Sequence, residues 1–414
     1  MLQMAGSIAS EMLEAFLVDY FFIVLYIPVI FFVRAQYRKY SELQTEIYGK
    51  PEFSPREVAE RIILTGLTAG FAASFITVAA EVTLETDTIR YLFYVMCFLL
   101  LIDLRLVSMP YAAGLLAAVS LIFGKPDVSI PSLLILAAVL QMTESILIFL
   151  TRKRDYIPVF FSHHDEITGA FLIRRFWMIP IVFFTYMLQS GSALSSFSAQ
   201  QASRAVPSLE GAAAALGLDC MITLLCYSDI SIASNPVEKT LRNAAALMGH
   251  SIILMVIAFV SKKIPWVGTA GTAFCILGRE AVFAWSRISE MRGQPLYSAV
   301  RRGLRVMDTI SGGHAEAMDM KRGDIILGIN GRDIQTEEGI AEALKDYPSY
   351  IWIDIIRDGA AKMLEYRCYP EGCGSLGIIT VPREKEVTYN TAHFEHMSII
   401  RNIVSRFRGI DKAV

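Results

Sequence analysis

The chain has 414 residues, of which 54% are hydrophobic and only 19% charged. Soluble domains carry roughly 25% charged residues, so the shortfall points to lipid around much of the chain. The formal net charge of −2 leaves no global basic field, and no nucleic-acid partner is expected.

The deficit is uneven. Long apolar runs fill residues 1–290, residues 291–382 have ordinary soluble composition, and 383–414 form a tail. The break predicts a polytopic transmembrane helical domain, a small soluble domain and an amphipathic C-terminal tail. A helix needs about 20 mostly apolar residues to cross a bilayer. The first candidate, 13–33, contains FLVDYFFIVLYIPVIFFV; Glu11, Glu14 and Asp19 surround it and no basic segment precedes it, so it reads as a span and not as a signal peptide. Further candidates centre on 62–80, 90–107, 109–124, 133–150, 176–190, 211–227 and 243–261, and a ninth, 264–286, is interrupted by Arg279 and Glu280. The expected fold class is a membrane α-helical bundle of about 7–9 transmembrane helices followed by a small α+β domain.

Lys and Arg in short loops mark the cytoplasmic side. That rule places 34–50, TRKRD (151–155) and Arg174–Arg175 inside, and the acidic 81–88 and polar 190–201 outside. Nine crossings then put the soluble domain in the cytoplasm, against the indication of Lys262 and Lys263. Gly66 and Gly70, extended by Ser74, form a GxxxG pattern, and Gly114 and Ala118 repeat the spacing. Such residues allow close backbone approach, within the bundle or in self-association. Glu144 and Asp219 fall inside apolar runs. A bare charge there costs several kcal/mol, so each reads either as a proton or cation site of a transporter or as a paired structural group, Glu144 with neighbours such as Gln141 and Thr143. Asp103 and Arg105 are close enough to neutralise each other. The chain lacks Gly/Pro-broken helices in repeated halves, which a transporter signature would show.

After residue 303 the pattern changes to short strands and turns. LRVMDTI (304–310), DIILGING (324–331), YIWIDIIRDG (350–359) and AAKMLEYRCYP (360–370) read as strands. HAEAMDM (314–320) and TEEGIAEALKDYP (336–348) read as helices, the second opened by Thr336 with Glu337 and Glu338 in its first turn. Gly323 and Gly331 permit tight turns, Asn330 suits one, and Ile325, Ile326 and Ile329 after Asp324 can fill a small core.

RVMDTISGGHAEAMDMKRGDIILGINGRDI resembles a PDZ domain of bacterial type, with GDIILGING its strongest part and a match over roughly 294–382. The resemblance implies binding of extended peptides, commonly C-terminal tails, by strand addition, with a nest of backbone N–H groups for the terminal carboxylate. For that carboxylate loop Ser375-Leu376-Gly377-Ile378 is favoured, late in the domain, and Tyr297–Leu304 is the competing position.

Membrane proteins with such domains are often proteases, yet the chain has no HExxH for zinc. His163-His164-Asp165-Glu166 places its histidines side by side, Ala215–Asp219 is not GxGD, and Gly191-Ser192 and His250-Ser251 lack catalytic partners. The expectation is a non-enzyme without cofactor, with an intramembrane peptidase (or a regulator of one) and a Glu144/Asp219 transporter as alternatives. Of six cysteines, Cys97, Cys220, Cys226 and Cys275 lie in apolar runs, while Cys368 and Cys373 flank a turn they can face each other across. A lone C-x4-C lacks the second pair expected for zinc, so no metal is expected.

A multispanning chain ending in a PDZ-like domain resembles the MinJ family of division-site topology proteins of Gram-positive rods, more loosely also in GAFLIRRFWMIPI (169–181) and GSLGIITVP (374–382). The resemblance implies an adaptor in the cytoplasmic membrane, enriched at septa or poles, that links a DivIVA-type scaffold to the Min system restraining FtsZ-ring assembly. In the tail, Phe394, Met397, Ile400, Ile403, Val404 and Phe407 share a helical face, which fits a lipid surface, a partner or the PDZ surface. The terminal Val414 is itself a possible groove ligand.

Overall fold

The computed structural model describes residues 2–17, 31, 34–38, 41–45, 47–48, 55–153, 156–163, 166–188, 214–368 and 372–382. Most of the first apolar run, the loop at 190–201 and the tail lie outside the described residues. In chain order the larger unit comprises α1 (Leu2–Leu17), α2 (Pro55–Ala79), β1 (Thr83–Glu85), α3 (Thr86–Ile102), α4 (Met109–Phe123) and α5 (Ile130–Leu150). Strands β2 (Tyr156–His163), β3 (Glu166–Leu188) and β4 (Ala214–Ser231) follow, then α6 (Pro236–Ser261) and α7 (Pro265–Arg292).

Among the described residues three helices are long and apolar enough to cross a membrane: Glu60–Ala79 of α2, α5 and α6. That is fewer than the expected seven to nine, and most of the first candidate lies outside the described residues. α4 has 15 residues, short of a full crossing, and α3 has 17, at the lower limit of one. α7 has 28 residues but carries Arg279, Glu280, Arg287 and Glu290. Helix α5 is central, with 78% of its apolar stretch buried against the chain. Helix α6 instead turns Ile252, Ile253, Val256 and Phe259 outward, an apolar surface suited to lipid.

The described parts of the expected spans at 176–190 and 211–227, residues 176–188 and 214–227, are not helices. They belong to β3 and β4, which pair antiparallel from Phe171↔Ser231 to Leu188↔Ala214. β3 is the spine of this sheet: β2 and β1 flank one edge, β4 and the short β5 (Tyr297–Ser298) the other. Phe171, Phe176, Trp177, Ile179, Ile181, Val182 and Phe183 are all buried, so both faces of the strand are covered. A strand buried on both faces is apolar without alternation, which a span also is, and its β-branched and aromatic content favours the strand.

The Gly66/Gly70 pattern also has a different use. Between β2 and β1 the edge of β3 is open over several residues, and α2 lies along it. A Cβ on Gly66 would stand 2.0 Å from the carbonyl oxygen of Met178, and one on Gly70 2.3 Å from that of Pro180. One turn further, Ser74 Oγ accepts the N–H of Val182 at 2.9 Å and donates to the Gly70 carbonyl at 2.7 Å. The small residues thus seat a helix against a strand edge inside the chain, where self-association had been one expectation. Gly114 similarly packs against Ile276 of α7.

The smaller unit contains β6 (Leu304–Thr309), α8 (His314–Ala317), β7 (Ile325–Ile329), β8 (Arg332–Asp333), α9 (Glu337–Ala343), β9 (Tyr350–Arg357), β10 (Ala360–Arg367) and β11 (Ile378–Thr380). Its sheet runs β10-β9-β7-β6-β11, with β8 beside β7. Gly323, Asn330 and Gly331 adopt positive φ of 94°, 50° and 77°, as their turns require. Asn330 exchanges hydrogen bonds with the backbone of Trp352, its amide donating and its side-chain oxygen accepting, both at 2.9 Å. Asp324 accepts two Arg357 guanidinium hydrogen bonds at 2.8 and 2.6 Å. Ile326 and Ile329 enter the core with Val306, Ile351 and Ile353; Ile325 faces away and is only half-buried.

The two units are docked. β5 pairs with β3 at Gly169 and Thr168, and Tyr297 meets Phe171 edge-on. Gly169 admits Met307, whose sulfur would lie 2.6 Å from any Cβ there. Asp308 receives Arg322 at 2.8 and 3.0 Å and the Tyr48 hydroxyl at 2.8 Å, while the Arg322 guanidinium stands over the Phe171 ring.

Candidate functional site

The last strand returns to the sheet beside β6, with Ile378 opposite Thr309, Ile379 opposite Asp308 and Thr380 opposite Val306. β11 is an edge strand. Across from it lies α9, opened by Thr336, whose hydroxyl accepts the Gly339 N–H at 3.2 Å. A groove of about 280 Å³ separates them. Ser375, Leu376, Gly377 and Ile378 line one wall and Glu337, Ile340 and Ala341 the other, while Ile47 and Phe160 of the larger unit border it.

The backbone at 375–377 is polarised. Ser375 O accepts the Cys373 thiol at 3.4 Å, Leu376 O accepts the Ala315 N–H at 2.9 Å, and Gly377 O accepts the Ile310 N–H at 2.8 Å. Three successive carbonyls therefore turn into the domain. Among the described residues the amides of Ser375, Leu376 and Gly377 donate to no protein acceptor. Gly377 has φ +70°, and a Cβ on it would lie 3.3 Å from the Gly313 Cα, so glycine fits both the turn and the close approach. Successive N–H groups beside an apolar groove form a nest for an anion such as a carboxylate. At the other end Thr380 donates its hydroxyl to Glu337, closing β11 onto α9.

The competing stretch is committed elsewhere, since Tyr297 and Ser298 pair with β3 and Tyr297 is buried. The residues Gly323 to Gly331 build the sheet and its turns and do not line the groove. Glu337 and Thr380 were not singled out as groove residues from sequence; the only signal was the acidic first turn of α9.

Glu144 and Asp219 are not brought to this site. Glu144 takes both terminal nitrogens of Arg279 at 2.8 and 2.9 Å, and both side chains are fully buried. Its partner comes from α7, not from Gln141 or Thr143; Gln141 instead contacts His250 at 2.7 Å. Arg105 likewise reaches across to Glu280 at 2.6 Å, while the Asp103 carboxylate accepts the Arg105 backbone N–H at 2.9 Å. Asp219 lies on β4, where it accepts the Cys220 N–H at 2.8 Å. Opposite charges on two apolar segments were the available sign of the Glu144–Arg279 pair.

The fold and groove define an apolar unit of helices packed on a sheet, carrying a small mixed α/β module with an open strand edge. No family model matches the chain. It is similar to the cell division topological determinant MinJ of Bacillus subtilis (strain 168), with 24% identity over 221 residues covering 53% of each chain. The chain thus spans about half the length of the curated relative it matches.

Proposed function

We propose that the chain is a membrane-anchored adaptor whose smaller unit is a PDZ-type module that recruits peptide-bearing partners, in the service of placing the division site. The observation that carries this reading is the groove: an edge strand, a facing helix and, at one end, three amides that donate to no acceptor among the described residues. Those are the parts needed to add a peptide strand and hold its terminal carboxylate. Similarity to MinJ supports the division role, and three long apolar helices are consistent with a membrane protein. Through the resemblance, the partners proposed are a DivIVA-type scaffold and proteins of the Min system, and the location is the septum or poles with the module in the cytoplasm.

The test is localisation of a fluorescently tagged chain beside Ala341→Trp. Ala341 is exposed on the groove side of α9, so the indole fills the groove and leaves the core intact. Gly377→Glu is less suitable, because a side chain at φ +70° strains the loop itself. Septal or polar enrichment that is lost in Ala341→Trp at equal expression supports the adaptor. Even membrane staining in both contradicts the division-site role.

A further inference from the structure

Behind the 375–377 loop lie three side chains that the peptide groove does not use. Cys368 follows β10, its N–H donating to Ser349 O at 2.8 Å; Cys373 donates its N–H to Pro348 O at 3.1 Å. The Gly372 N–H bonds the Cys368 carbonyl at 2.7 Å, closing the turn between them. His314, the first residue of α8, comes in from far upstream, its ring 5.6 Å from that of Tyr366. The donor atoms of His314, Cys368 and Cys373 all lie within 4.8 Å of one another, with both thiols buried and the imidazole half-exposed.

From this cluster we infer a zinc(II) site formed by His314, Cys368 and Cys373. The donor set is two soft thiols and one imidazole, which suits zinc over the hard cations calcium and magnesium. Two thiolates bound at about 2.3 Å to a tetrahedral ion stand about 3.8 Å apart, so donors within 4.8 Å need only a small contraction. The fourth position goes to water. Binding converts both thiols to thiolates and releases two protons, with no change of oxidation state. The sequence alone offered a C-x4-C without a second pair; the fold supplies the third donor through α8.

The ion would fix the wall of the groove. Cys373 stands two residues before Ser375, and Gly313, beside His314, touches Gly377. Metal binding itself is independent of peptide binding, so the two readings fail separately.

Cobalt(II), as a spectroscopic stand-in for zinc, is titrated into the full chain purified in detergent under a non-chelating reductant. The expected result is a thiolate-to-cobalt charge-transfer band saturating at one ion per chain and abolished by zinc. Cys368→Ser and Cys373→Ser each remove it, His314→Ala weakens binding at least about tenfold, and Cys97→Ser and Cys275→Ser leave it unchanged. Zinc should raise the unfolding temperature of the parent chain and of the two control variants only, which separates lost ligation from lost folding. The site is overturned by absence of the band in folded, reduced protein. It is equally overturned if the band survives in both Cys368→Ser and Cys373→Ser, or if His314→Ala leaves affinity unchanged.

Discussion

Glu144 lies fully buried in α5, and Arg279 answers it with two hydrogen bonds. Taking both ions from solvent is expensive, so the pair contributes little net stability, whereas breaking it strands a charge. Arg279→Leu should therefore destabilise the chain by about 3–5 kcal/mol, and Glu144→Leu with Arg279→Leu should recover most of that loss. Thermal unfolding of detergent-solubilised variants checks this. A double variant as unstable as Arg279→Leu alone would show that the cost lies in packing and not in charge.

At the scale of elements, the β3–β4 hairpin makes the sharpest claim. Val182 and Cys220 are directly opposed in its register. Opposed residues of an antiparallel pair have Cα atoms about 4.5–5.5 Å apart, within the range a disulfide spans. Val182→Cys should crosslink to Cys220 under mild oxidation, read by mass spectrometry of the linked peptides, while two separate spanning helices would show no preference for that pair. The smaller unit was legible because Gly323, Asn330 and Gly331 have local chemistry that demands positive φ, and because Thr336 and the strand alternation act within a few residues. The hairpin was not: Phe171 to Phe183 are apolar because both faces are covered, and that information is held by α2 and the other packing elements, not by the strand. The zinc donor His314 was hidden for the same reason, since its neighbours Cys368 and Cys373 are brought in by the fold. The groove loop at 375–378 was legible as a motif, but its three inward carbonyls depend on Cys373, Ala315 and Ile310.

At the scale of the whole molecule, the smaller unit is docked on the sheet of the larger one, and the groove lies beside that contact, bordered by Ile47 and Phe160. Arg322, held by Asp308 of its own unit, reaches the larger unit over the Phe171 ring, and Tyr48 donates its hydroxyl to the same Asp308. Arg322→Ala leaves Asp308 buried with Tyr48 as its remaining side-chain partner among the described residues, a loss of about 2 kcal/mol. Limited proteolysis should then cut faster near residues 293–303, where β5 joins the two units. Unchanged cleavage would mean that strand pairing with β3 alone holds the dock.

The central claim is that the groove between β11 and α9 takes a partner's peptide. The most direct measurement is in-cell photocrosslinking with a photoreactive amino acid at Ala341, beside a control at exposed Glu365 on β10. Adducts are expected from Ala341 to a division protein, mapped to an extended or C-terminal segment and absent at Glu365. No adduct at Ala341, or the same adducts at both positions, would contradict it.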